Sequence, residues 1–351
     1  MWTYHRSCTS QARLDGKVVV ITGANTGIGK ENAKDFYRRG ARVVLTCRNV
    51  EKAKEAVEDI KNNLYYDLQR KTNIEVKKML YIMIKMITGS KQDSKDKLGE
   101  FAIYSLDLSS LRSVKECAKK ILADESAIHI LINNAGIMMC EHEKTKDGFE
   151  LQLQTNHIGH FLLTLLLLPK IQSSAPGCRI INVSSICHLL GNIYFDDINL
   201  DRSYSPMKAY AQSKLANILF TKELAHRLKE AGIDGINVYS LHPGVIKTEL
   251  SRHYSKTIIP GARFIFRNIM GPFIKNPIQG AQTTIHCAVD DKVANETGLY
   301  YVECRVTTPQ WRARDDKIAK DLWDHTCRLL HLEPEENLST FLQTVARQLT
   351  E

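Results

Sequence analysis

The feature that most limits how this chain can fold is an alternation. Short runs rich in β-branched residues read as strands buried on both faces: KVVVI at 17–21, ARVVLT at 41–46, FAIYSL at 101–106, IHILIN at 128–133, CRIINV at 178–183 and INVYSL at 236–241. Between them lie longer stretches with helical spacing, at 27–39, 50–61, 109–123, 150–172, 206–230 and 278–290, and GLYYVE at 298–303 adds a last strand. Strand–helix–strand repeats join through right-handed crossovers, which place helices on both faces of a parallel sheet. The predicted fold class is α/β, a doubly wound parallel sheet in a single domain over 15–333, with tails at 1–14 and 334–351. In the second tail, Leu338, Phe341, Val345 and Leu349 are spaced for a short amphipathic helix.

Two segments break the alternation. Residues 62–98 hold eight Lys/Arg against four Asp/Glu where a short loop would serve. This insert follows a crossover helix and precedes a strand, so it is predicted at the amino ends of the strands, whereas ligands of such sheets bind outside the carboxyl ends. The second segment, 251–277, contains IIPGARFIFRNIMGPFI. It reads either as an irregular cover over the core or as a lid over an apolar ligand.

Composition narrows the classes. Nine cysteines without a C-x-x-C pair suit reduced thiols inside a cell, and no His–Cys spacing suggests a metal. The net charge of +9 is spread along the chain rather than gathered beside aromatic residues, so a generally basic surface is expected and nucleic acid is not. The first residues have no apolar core and read as neither signal peptide nor anchor. The longest apolar run, Ile158 to Leu168, is too short to span a bilayer. A cytoplasmic location with at most peripheral membrane contact is the expectation.

The first strand runs straight into Thr22-Gly23-Ala24-Asn25-Thr26-Gly27-Ile28-Gly29. Glycines here let the backbone turn tightly and approach a pyrophosphate, whose charge sits on the N-terminus of the next helix. The second strand ends in Cys47-Arg48-Asn49. That turn has no carboxylate for a ribose hydroxyl and offers a guanidinium suited to a 2′-phosphate, which points to NADP(H).

Three tyrosines have a lysine four residues on: Tyr81 with Lys85, Tyr204 with Lys208, and Tyr210 with Lys214. Ser205-Pro206 reads as an N-cap followed by the first helical residue, so Tyr204 precedes the helix while Tyr210 and Lys214 share one of its faces. Tyr81 lies in the insert. A free phenol has a pKa near about 10 and needs tuning to exchange protons near neutrality, which an adjacent ammonium favours.

The glycine loop, NNAGIMMC at 133–140, TNHIGHFLLT at 155–164, NVSSICH at 182–188, YAQSKLANILFTKEL at 210–224 and LHPGVIKTEL at 241–250 occur in one order. In this the chain resembles the short-chain dehydrogenase/reductase family, and more narrowly the retinol dehydrogenase branch that reduces retinal with NADPH. The resemblance covers about 15–61 and 99–333. It implies a Rossmann fold, Tyr210 as general acid/base, Lys214 holding the nicotinamide ribose, and Ser185, rather than Ser184, bonding the reacting oxygen. Asn156 would position a water and the lysine. Gly23, Asn25, Thr26, Gly27, Ile28, Gly29, Arg48, Asp107, Leu108, Asn133, Ala135, Gly136, Pro243, Gly244 and Thr248 would complete the cofactor site. Asp107 or Ser109 could instead cap the next helix, and His157 with His160 read as structural histidines. The implied substrate is a lipophilic alcohol or aldehyde, a retinoid first. A steroid or general carbonyl reductase, or a dinucleotide sensor without turnover, remain as alternatives, and self-association is left open.

Overall fold

Side chains alternate across a strand, so a strand buried on both faces feeds two cores. Along β1 (Val18–Thr22), Val18 and Val20 enter one core while Val19 and Ile21 enter the other. The structure is a computed structural model that describes residues 6–71, 97–246, 275–333, 337–347 and 349, with the backbone alone at 65–71. The remaining strands are β2 (Arg42–Cys47), β3 (Glu100–Ser105), β4 (Ile130–Asn133), β5 (Cys178–Val183), β6 (Ile236–His242), β7 (Leu299–Val302) and β8 (Arg305–Val306). They form one sheet in the order β3-β2-β1-β4-β5-β6-β7-β8. The first seven are parallel, and β8 pairs antiparallel with β7.

Helices α1 (Gly27–Arg38), α2 (Val50–Lys71) and α6 (Pro277–Val289) cover one face. On the other lie α3 (Leu111–Asp124), α4 (Gly159–Ser173), α5 (Pro206–Glu230), α7 (Asp316–Leu329) and α8 (Leu338–Arg347). The apolar run within α4 is buried all round, from Phe161 to Leu168. The sheet takes one side, while Trp323 of α7 meets Phe161 at 4.9 Å and Phe341 of α8 at 6.0 Å between ring centroids. Each leucine so buried contributes about 1.5–3 kcal/mol, which is why this stretch is core. Among the described residues no helix is long and apolar enough to cross a membrane.

Several boundaries differ from the sequence reading. Helix α2 does not stop at 61 but runs to Lys71, because Ile60 and Leu64 continue its buried stripe and no breaker intervenes. Residues 72–96 and 247–274 lie outside the described residues, and with them most of the insert, most of the proposed lid, Tyr81 and Thr248. The flank at 97–99 returns at the amino ends of the strands, where the Gly99 amide donates to the Tyr37 carbonyl. The predicted helix at 150–172 begins as one turn, Leu151–Leu153, held by Glu150, whose carboxylate accepts the amides of Gln152 and Leu153. It then widens into a π-turn at Gln154–Ile158 before α4. Helix α7, which the sequence reading omits, starts at an Asp315 cap that accepts the Ile318 amide at 3.0 Å.

Candidate active site

Thr26 caps α1 without a side-chain bond, and no acidic residue occupies the first turn, so the helix itself places no carboxylate against an anion there. Gly23 and Gly27 have φ of +67° and +56°, a region few other residues adopt. A Cβ on Gly23 would come within 2.9 Å of Ala135, and one on Gly136 within 3.2 Å of Asn156 and 3.4 Å of Lys214. The close approach of backbone around this cradle is what a dinucleotide needs, and the residues fit that group. Asn25, Thr26, Lys30, Lys52, Glu55 and Asp59 line a cleft of about 330 Å³ between the loop and α2, two lysines facing two carboxylates. Arg48 is exposed at the carboxyl end of β2, and Asn49 next to it caps α2 by accepting the Lys52 amide at 2.9 Å.

At the carboxyl end of β5 and on α5, four side chains meet. Ser205 and Pro206 start α5 as expected, which puts Tyr210 one turn before Lys214, with the ammonium 5.7 Å from the phenol ring centroid. Burial drives the Tyr210 phenol well above its ordinary value, and a hydrogen bond to Ser185 acts the other way. The expected lowering of the phenol is therefore absent from the protein alone. Lys214 donates to the Val183 carbonyl at 3.0 Å, and burial lowers its pKa to about 8. Ser185 also accepts the Cys187 amide at 3.2 Å, whereas the Ser184 hydroxyl is spent on the Lys214 carbonyl at 2.7 Å. Asn156 sits inside the π-turn. Its amide oxygen accepts the Ile137 N–H (2.8 Å), and its nitrogen donates to the Ile137 carbonyl and the Ser213 hydroxyl (both 2.9 Å). It clamps the turn after β4 to α5, and with Lys214 it flanks Gly136.

The Asn133 side chain donates into the core, to Thr164 and Asn182, and its neighbour Asn134 ties the turn to β1 by donating to the Thr22 carbonyl at 2.8 Å. Ile28 packs toward Gly280 of α6. Leu108 is buried beneath Gly159, and Asp107 accepts from both the amide and hydroxyl of Ser109. The cap of α3 is neither of these but Ser110, which accepts the Ser113 amide. Pro243 and Gly244 follow β6, with Gly244 at φ +99° against the Lys275 stem. Tyr204 precedes α5 and donates to the Cys140 carbonyl at 2.7 Å. His157 and His160 are buried and held neutral by desolvation, at about 4 and about 3, and His160 meets Thr22 at 2.8 Å.

Sequence reasoning passed over Lys30 and Lys52, though both stand at regular helical positions facing the glycine loop. It also passed over His242 and His188, which hold the turn carrying Ser185. His242 Nδ1 accepts the Ile186 amide at 3.2 Å, and His188 Nδ1 lies 2.7 Å from the Ser185 carbonyl.

A parallel sheet with this loop and this Tyr–Lys helix defines a nicotinamide-dinucleotide oxidoreductase. The chain matches the model of the short chain dehydrogenase family over residues 17–80 and 86–258, and it belongs to that family. Within it, the chain falls in the branch of proteins named retinol dehydrogenases. It is 45% identical to human retinol dehydrogenase 11 over 325 residues, 93% of this chain and 89% of that protein. Human retinol dehydrogenase 12 is 42% identical over 328 residues, again 93% of this chain and 90% of the relative. Among solved structures, an uncharacterised protein from Mycobacterium paratuberculosis aligns with a TM-score of 0.66 at 31% identity, covering 92% of this chain and 97% of its own. Pseudomonas aeruginosa RhlG, solved with NADP, shares the fold at a TM-score of 0.57 and 23% identity, over 82% of this chain and 94% of its own.

Proposed function

We propose that this chain interconverts a lipophilic alcohol and its aldehyde or ketone with NADP(H), retinol and retinal being the first pair to test. The observation that carries the reaction type is the buried Tyr210 hydroxyl, bonded to Ser185 with Lys214 one turn beneath. The names of the relatives support the retinoid. Arg48, exposed at the carboxyl end of β2, supports the phosphorylated dinucleotide, with Lys52 of the adjoining cleft beside it, whereas Lys30 there is paired with Asp59 at 2.6 Å.

The glycine loop and the open first turn of α1 would hold the pyrophosphate, Arg48 the 2′-phosphate, and Lys214 the nicotinamide ribose. When bound, the reduced cofactor supplies a hydride. Tyr210 and Ser185 together orient the carbonyl oxygen of the substrate. Tyr210, kept protonated at neutral pH by its burial, donates its proton to that oxygen as negative charge develops, and in the reverse direction accepts it. Asn156 keeps the turn after β4 fixed against α5, which sets the distance between the nicotinamide side and Tyr210.

The Lys214 value gives a signed pH dependence. The ammonium is present below about 8 and lost above it. Carbonyl reduction is therefore expected to fall as pH rises through about 8. Lys214→Arg, whose charge persists, is expected to shift that limb upward even at reduced rate. A high-pH limb that stays in place in Lys214→Arg would remove the Lys214 charge from the mechanism. The substrate itself is tested by following NADPH absorbance with retinal, steroid ketones and small aldehydes. Turnover of retinal at least about tenfold above the others is expected, a margin of roughly 1.4 kcal/mol. A steroid or small aldehyde ranking first would redirect the assignment, and no turnover of any would favour a sensor.

A further inference from the structure

At the amino-end side of the sheet, far along the chain from Tyr210, three metal-binding side chains converge. Ligand atoms of Cys8, His286 and Asp290 all lie within 4.8 Å of one another. His286 and Asp290 stand at i and i+4 at the end of α6, so one helix face carries both, with Nδ1 3.0 Å from Oδ2. They are only 8% and 6% exposed. The other Asp290 oxygen accepts the Lys292 amide at 3.1 Å, which fixes the carboxylate plane.

The N-terminal segment delivers Cys8, and it is tied down on both sides. The Cys8 amide donates to Gln282 Oε1 at 3.1 Å, the Ser10 hydroxyl donates to the Val289 carbonyl at 3.3 Å, and Arg39 donates to the Ser10 and Ala12 carbonyls. The cysteine is thus placed by backbone contacts independent of its sulfur. His286 Nδ1 and Asp290 already bond each other at 3.0 Å, and the Cys8 sulfur beside them brings a third donor within reach of one ion.

We propose that Cys8, His286 and Asp290 form a zinc site that clips the N-terminal segment to the end of α6. Thiolate, imidazole and carboxylate are donors zinc takes, and the sulfur disfavours calcium or magnesium. Bonds of about 2.0–2.3 Å put donor atoms on a tetrahedral ion roughly 3.3–3.8 Å apart. The His286–Asp290 pair already stands near that spacing, and a turn of the Cys8 side chain by about 1 Å closes the set. A water fills the fourth position, as at zinc sites with three protein ligands. On binding, the Cys8 thiol gives its proton to solvent and the S–Zn bond replaces S–H, while the proton that His286 Nδ1 shares with Asp290 is given up and the neutral ring keeps its proton on Nε2.

The test uses the full chain, stripped by a chelator and titrated with zinc, with cobalt(II) as the spectroscopic probe. One zinc per chain is expected, and a cobalt adduct with a thiolate-to-metal charge-transfer band. Cys8→Ser should abolish the band and weaken zinc binding by about a hundredfold, and Asp290→Asn, which keeps an oxygen for the Lys292 amide, by at least about tenfold. Chelation should lower the unfolding midpoint of the parent protein and leave that of Cys8→Ser unmoved. NADPH turnover should be unchanged in both variants, since neither residue belongs to the machinery around Tyr210. No zinc retained at low micromolar concentration, or equal affinity in the parent and Cys8→Ser, would overturn the site.

Discussion

Tyr210→Phe is expected to lower NADPH-dependent turnover by about 10²- to 10⁴-fold, the usual contribution of a positioned acid or base. Cofactor affinity, read by quenching of intrinsic fluorescence, should stay within about threefold, because phenylalanine keeps the ring that Lys214 lies beside. The neighbouring pair is the control. Tyr204 donates to the Cys140 carbonyl at 2.7 Å, accepts from Gln152 at 3.1 Å and stacks on His142 at 4.4 Å. All three contacts tie the stretch before α5 to residues 140–152. Tyr204→Phe should therefore remove about 0.5–1.5 kcal/mol of stability and leave kcat/KM nearly unchanged. If Tyr204→Phe eliminated turnover and Tyr210→Phe did not, the chemistry would belong at the foot of α5 and the mechanism above would fall.

That contrast was legible in the sequence because it depends on local rules. Ser205 and Pro206 fix where α5 begins, and the start of a helix decides which residues share a face. The strands were legible for a similar reason. Buried parallel strands carry unbroken β-branched runs, and β5 occupies the predicted 178–183. The rest was hidden where non-local contacts decide. Helical periodicity cannot reveal the π-turn at Gln154–Ile158, since one widened turn leaves the residue types unchanged. Asp107 and Ser109 looked like caps, but they bond each other, and the cap lies one residue later at Ser110. Asn133 reads like part of a binding motif, yet only the packed structure shows its amide turned toward Thr164 and Asn182. Cys8 and His286 lie too far apart in the chain for any spacing rule to join them.

Cofactor choice rests on Arg48, and its reversal is the other large effect to expect. Arg48→Asp removes a guanidinium from the carboxyl end of β2 and places a carboxylate where a ribose hydroxyl can donate to it. A hydrogen bond to a charged group contributes about 1.5–3 kcal/mol, so the ratio of kcat/KM for NADPH over NADH should drop by about ten- to a hundredfold. Because Arg48 is exposed, solvent screening argues for the lower half of that range. So does Lys52, which still lines the adjoining cleft in the variant, although Glu55 lines it too and Lys30 is engaged by Asp59 at 2.6 Å. The two contributions separate by experiment. Adding Lys52→Glu to Arg48→Asp should carry the swing to the upper end if the cleft receives the phosphate. An unchanged ratio in Arg48→Asp, with a full swing in Lys52→Glu alone, would move the phosphate from the turn after β2 into that cleft. A ratio unchanged in all three variants would show that neither cation selects the cofactor.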